Sequence, residues 1–151
     1  MKKIIILLII PFLCACSSKQ DKALEEYNSI LNDLKNVTKS SICADLTVNM
    51  EVEKLSEELY NYRALIDKPS FKITDVTALL YNEENEINPS IGIFDKKESF
   101  NKNDKEKGIK LSGYITVPSE DYKLFISYKK EDKLNKCYYV LNNVTYIDSS
   151  K

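Results

Sequence analysis

The chain contains no histidine and no tryptophan. Histidine is the commonest general base and metal ligand near neutral pH, so Ser-His-Asp catalysis and histidine-bound zinc are both excluded. Any metal site would rest on cysteine and carboxylates alone, and no cofactor is expected. Arginine occurs once, as Arg63, which leaves almost no bidentate clamp for phosphate. Three glycines do not make a phosphate-cradling loop. With 22 basic and 23 acidic residues the chain lacks the basic excess of a nucleic-acid binder. It also lacks a membrane span: the apolar run at 4–13 is about half the roughly 20 residues needed, and Pro11 interrupts it.

What is present at the N-terminus is an export signal. Lys2 and Lys3, the apolar run and then small residues follow the order of a secretory signal peptide. Within it, Leu13-Cys14-Ala15-Cys16 resembles the lipobox of bacterial lipoproteins, in which a small residue precedes a cysteine that is acylated on sulfur and becomes the mature N-terminus. The resemblance makes Cys16 the lipid carrier, because bulky Leu13 stands where cleavage before Cys14 would need a small residue. It covers residues 1–18 and implies a signal peptide at 1–15 and a lipidated tether at 16–20; the remaining length, 21–151, is that of one domain. The resemblance further implies a palmitate-bearing protein held outside the cytoplasm. Ser17 resembles the residue that permits transfer onward, so a periplasm-facing outer membrane is the expected location.

Two cysteines remain, Cys43 and Cys137. An even pair in an exported protein reads as a disulfide. The closed loop of about 95 residues would contribute about 4–5 kcal/mol in the chain-entropy description. A free reactive thiol or a redox pair is the other reading, but the C-x-x-C spacing and a thiolate-stabilising cluster are both lacking.

Along the chain, Leu24, Tyr27, Leu31, Leu34 and Val37 step by three and four, which predicts an amphipathic helix over 21–37 starting at Ser18 with Asp21 three residues on. Residues 42–52 alternate apolar and polar as a strand, yet Val48, Val52, Leu55, Leu59, Tyr62 and Ile66 also fit a helix face. Under either reading 54–66 is expected to be helical, ending before Pro69. Strands are expected at 71–81, 91–94, 109–117, 122–128 and 137–147, the last with a bulge or turn at Asn142-Asn143. Residues 95–108 read as a solvated loop. Its 101–104 segment has a passing likeness to a calcium loop without the glycine and glutamate that one needs.

These elements predict an α+β fold: an N-terminal amphipathic helix, or a helical hairpin, packed on one curved antiparallel sheet. The layout looks like that of cystatin-like and nuclear-transport-factor-2-like domains, a likeness that transfers no function. The acidic clusters at Glu57-Glu58 and at Glu83, Glu84 and Glu86 could serve a glycosidase, but they fall where solvated charge is the default. The expected protein is not an enzyme. It is a membrane-tethered envelope lipoprotein acting by contact with another envelope protein, as an assembly factor, accessory subunit or inhibitor of the immunity type. The alternative is a small-ligand carrier with an apolar pocket between helix and sheet. Tyr122, Tyr128 and Tyr138 are the candidate contact residues if exposed.

Overall fold

The computed structural model describes residues 18–67, 71–85, 88–100 and 108–149. Cys16, Ser17, Glu86 and the 101–104 segment lie outside these. Lys19–Asn36 forms α1, closed at its start by a capping box: the Asp21 amide donates to Ser18 Oγ at 3.1 Å and the Ser18 amide to the Asp21 carboxylate at 2.8 Å. Such a cap stabilises a helix by about 1 kcal/mol. The other described elements are strands: β1 (Val48–Ser56), β2 (Leu59–Asp67), β3 (Ile73–Asn82), β4 (Ser90–Ile91), β5 (Glu98–Phe100), β6 (Gly108–Ile115), β7 (Tyr122–Lys130), β8 (Lys133–Val140) and β9 (Val144–Asp148).

They build two sheets. The first runs β6-β2-β1-β9, with β9 parallel to β1; the second runs β4-β3-β7-β8, and β5 also pairs with β3. The sheets meet face to face over one core. Met50, Val52, Tyr62, Ala64, Ile66, Ile109, Leu111 and Ile115 come from the first, and Val76, Ala78, Leu80, Tyr122, Leu124, Ile126, Tyr128 and Tyr139 from the second. The opposite face of the second sheet is covered by α1, whose Ile30 and Leu34 pack on Leu79, Tyr81 and Phe125. The molecule is therefore three layers deep, helix on sheet on sheet. Because the middle sheet is covered on both sides, β3 and β7 are buried almost without alternation, whereas β6, on the outer sheet, alternates in the ordinary way.

This architecture corrects the expected fold class. The described residues are β-rich, with a single helix among them, rather than a helix or helical hairpin on one curved sheet. Residues 54–66, expected as helix, form the β1–β2 hairpin turning at Glu57-Glu58. The helical periodicity was coincidental: Val52, Tyr62 and Ile66 are buried, but Leu55 and Leu59 are each 38% exposed. Within 42–52 only the second half is strand. Residues 137–147 are two strands rather than one, because at 141–143 the chain leaves β8 in one sheet and enters β9 in the other. The loop expected at 95–108 contains β5, with Phe100 buried. The helix is rotated from its expected stripe as well. Leu24 is half exposed and Ile30 takes the core position, since the stripe that wins is the one meeting Leu79 and Phe125.

Candidate contact surface

One end of the first sheet concentrates exposed apolar side chains. Of the nine large hydrophobic residues exposed among the described ones, Leu55, Leu59, Tyr114, Val117 and Tyr146 belong to this end. The ladders bring them together. Leu59 opposes Ser56, Tyr60 opposes both Lys54 and Ile115, Tyr114 opposes Asn61, and Tyr146 opposes Val52, which in turn faces Tyr62. Val117 lies two residues beyond Ile115. The hairpin tip is made by a register slip between Lys54 and Ser56, which turns Leu55 outward, and by Lys54 Nζ pairing with the exposed Glu57 carboxylate at 3.3 Å.

The patch has a stiff backing. Beneath it the Tyr62 and Tyr122 rings stack with centroids 5.4 Å apart. Asn85 Nδ2 donates to the Tyr62 hydroxyl, and the Tyr62 ring lies against Gly113, where a Cβ would stand 2.6 Å from its nearest ring carbon. The Asn85 loop is held in turn. Asn82 accepts from the Glu84 amide and donates to the Asp121 carbonyl, and Asn88 Oδ1 accepts from the Asn82 amide at 2.8 Å. Tyr27 of α1 joins the same network through the Asn88 amide and carbonyl. Tyr122 alone has a buried hydroxyl with no hydrogen-bond partner among the described residues; the nearby Ser119 backbone only moderates its ionisation.

Beside the patch, the outer face of the first sheet carries the one arginine. Arg63 donates to Glu51 at 2.6 Å and to Glu53 at 2.9 Å, and Ser149 Oγ donates to Glu53 at 2.7 Å. The Ser149 hydrogen bond, with Arg63 adding to it, holds the Glu53 carboxyl below its ordinary range. These charges satisfy one another across β1 and β2 and leave Tyr114 open on the same face, while Tyr146, on the Val52 side, is exposed at the β9 edge.

Burial raises seven tyrosine hydroxyls: Tyr62 to about 12, Tyr122 further, and Tyr81, Tyr128, Tyr138, Tyr139 and Tyr146 in the same direction. A phenol kept neutral by the fold ionises more easily in the unfolded chain, so the folded state holds more protons above the ordinary value of about 10. Stability is therefore expected to be full below about pH 10 and to fall as pH rises towards 12. Phenolate absorbance should rise in two stages, the second coinciding with loss of circular dichroism. All ten tyrosines ionising together with the fold intact would contradict this.

The residues singled out from sequence are distributed differently. Tyr122 and Tyr128 are 0% and 1% exposed, which makes them core residues and corrects their candidacy as contact anchors. Tyr138 is partly buried and clamps α1: its hydroxyl donates to Asp33 at 3.1 Å and its ring packs on Phe125. Cys43 and Cys137 are bonded, with Cα atoms 5.6 Å apart. Glu57, Glu58, Glu83 and Glu84 are all exposed. Tyr114 and Tyr146 were missed because every tyrosine on an alternating strand looks alike until it is known which face of its sheet is covered, as for Tyr114, and which strand is the edge, as for Tyr146 in β9.

The largest of the described clefts differs from the patch in character. This cleft, of about 520 Å³, lies between the C-terminal half of α1 and the Asp121 turn, and Lys35, Glu83, Asn85, Asp121 and Lys123 make it polar and open to solvent. Among the described residues no cluster of histidine, cysteine or carboxylates is set to hold a metal. Compared with known protein families and with curated proteins, the chain matches none.

Proposed function

We propose that the protein is a lipid-anchored component of the bacterial cell envelope, facing the periplasm from the outer membrane, that acts by non-catalytic contact with another envelope protein. Assembly, accessory and inhibitory roles all fit such a contact. The observation that carries the reading is the gathering of Leu55, Leu59, Tyr114, Val117 and Tyr146 at one end of a sheet backed by rigid aromatic packing. An exposed apolar cluster with a polar rim is the form a protein-binding surface takes. The small-ligand alternative needs an apolar pocket between helix and sheet, and there Leu34, Leu79 and Phe125 are packed against one another, each at most 3% exposed.

Crosslinking in whole cells, followed by mass spectrometry, identifies the partner. Tyr146→Asp and Leu59→Asp are each expected to weaken its capture on the order of 30-fold, the equivalent of about 2 kcal/mol for an anchor residue. Their thermal midpoints should stay near that of the parent, because neither side chain is in the core. Neutralising Glu57, Glu58, Glu83 or Glu84 should leave capture intact, since exposed charges contribute about 0–1 kcal/mol. Unchanged capture by both patch variants would overturn the reading. So would loss of all function on neutralising one of those carboxylates in a folded protein, which would restore the case for an enzyme.

A further inference from the structure

A second exposed apolar feature sits at the opposite end of α1. Phe94 is 56% exposed and Leu24 50%. Phe94 packs on Tyr27 with ring centroids 5.4 Å apart and borders a shallow cleft of about 490 Å³ with Lys19, Gln20, Ala23, Ile93 and Asp95. Leu24 lies one turn along from Gln20 on the same side of the helix. The loop that displays Phe94 is fixed: Ile93 is buried against α1, and the Gly92 amide donates to Asp95 Oδ1 at 2.6 Å. Gly92 itself has φ +71°, and a Cβ there would strike the Val76 carbonyl, so only glycine allows this approach.

We propose that this surface, Phe94 and Leu24 with Lys19 beside them, rests on the lipid bilayer and sets the orientation of the domain. The inference rests on the reading of Cys16 as the lipid carrier. From Cys16 to Ser18 is two residues, about 7 Å of chain at full extension, and Ser18 already caps α1. An acylated Cys16 therefore holds the start of the helix against the headgroups, and the side chains beside it meet lipid before any protein can cover them. Interfacial aromatic rings and lysines whose stems reach along apolar surface suit that position. Of the acids nearby, Asp21 is engaged in the cap, Asp95 by Gly92 and Glu26 by Lys97 at 3.2 Å, while Glu25 is exposed next to Leu24. The apolar side chains, with Lys19 beside them, therefore carry the contact with the bilayer rather than an excess of positive charge. The 18 residues of α1 extend about 27 Å, so the Lys35 end, which shares a cleft with Asp121 and with the Asn85 that bonds Tyr62, is carried away from the bilayer.

The chain has no tryptophan, so a single introduced indole reports its own surroundings. Phe94→Trp and, as a control at the far end, Tyr146→Trp are purified from membranes of the expressing cells and reconstituted in phosphatidylethanolamine–phosphatidylglycerol vesicles. The mass of the N-terminal peptide establishes the lipid on Cys16. On vesicles the indole at 94 is expected to shift its emission to shorter wavelength, to lose most of its quenching by iodide, and to be quenched by shallow doxyl lipids. The indole at 146 should stay as in water. A lipidated protein whose indole at 94 remains open to iodide overturns the docking face and leaves the anchor standing. A protein without lipid overturns both, since two apolar side chains do not hold a domain on a bilayer. Protection at 94 that grows with protein concentration in detergent, without vesicles, identifies a second copy as the occupant and also overturns the proposal.

Discussion

Replacing both Cys43 and Cys137 by alanine is expected to lower the unfolding free energy by about 4–5 kcal/mol, the chain-entropy value for a loop of this length. The two residues are 94 apart in sequence and 5.6 Å apart at Cα. Such a loss is a large share of the roughly 5–15 kcal/mol that a domain typically possesses. The bond also does local work. It ties the segment after α1 to β8, an edge strand of the middle sheet, where Ser41 and Tyr138 exchange two backbone hydrogen bonds of 2.7 and 2.9 Å. The Tyr139 hydroxyl adds contacts to the Cys43 amide and carbonyl. Without the disulfide this segment depends on those few hydrogen bonds, and the edge of β8 opens first. Denaturant titration of the parent and the double variant reads the global effect, and faster amide exchange at Tyr138 reads the local one. Peptide mapping without reduction should recover Cys43 and Cys137 as one linked species. Two alkylatable thiols in the folded protein, or equal stability of the double variant, would refute the account.

The second large effect is expected at Tyr62. Tyr62→Ala removes a wholly buried aromatic ring from the centre of the sandwich and should cost about 3–5 kcal/mol. Because that ring supports the exposed cluster from below, capture of the partner should fall with it even where the variant is still folded. Gly113→Ala tests the same packing from the other side. Alanine suits a strand better than glycine by about 0.5–1 kcal/mol, yet here its methyl group would collide with the Tyr62 ring edge and hydroxyl, so the change should destabilise. In a Tyr62→Ala background the collision is gone, and the second substitution should be neutral or favourable. A double-mutant cycle on denaturation midpoints measures this coupling. Additive costs would show that Tyr62 and Gly113 do not press on one another.

Some of the structure was legible in local sequence because local physics decides it. The capping pair Ser18 and Asp21 and the three-to-four spacing that follows are enough to start and sustain α1, since both depend on neighbours within one turn. Alternation over 109–117 and 122–128 identified β6 and β7 to within about two residues of their ends, which is the ordinary uncertainty of an element boundary. The two-residue turn between β7 and β8 lies in the gap between the strands expected at 122–128 and 137–147, and both its residues, Glu131 and Asp132, take positive φ as a tight hairpin of this hand requires.

Tertiary structure decided the rest. Leu55 and Leu59 complete a helical stripe on paper, and only the pairing of β1 with β9 and of β2 with β6 makes 54–66 a hairpin, because long-range ladders outweigh local periodicity. The same pairing sends Tyr62 inward and Tyr114 outward, while Tyr146, on the same face as Val52 and Tyr62, stays half exposed because β9 is the edge of its sheet. For tyrosine the sequence determines only that one end of the side chain is apolar and the other polar. Whether it becomes core or contact depends on whether its face of the sheet is covered and on whether its strand is the edge; α1 covers the middle sheet while no described layer covers the far side of the outer one. Composition by itself withheld histidine chemistry from the chain, and the position of the apolar cluster was set by how two sheets and one helix stack.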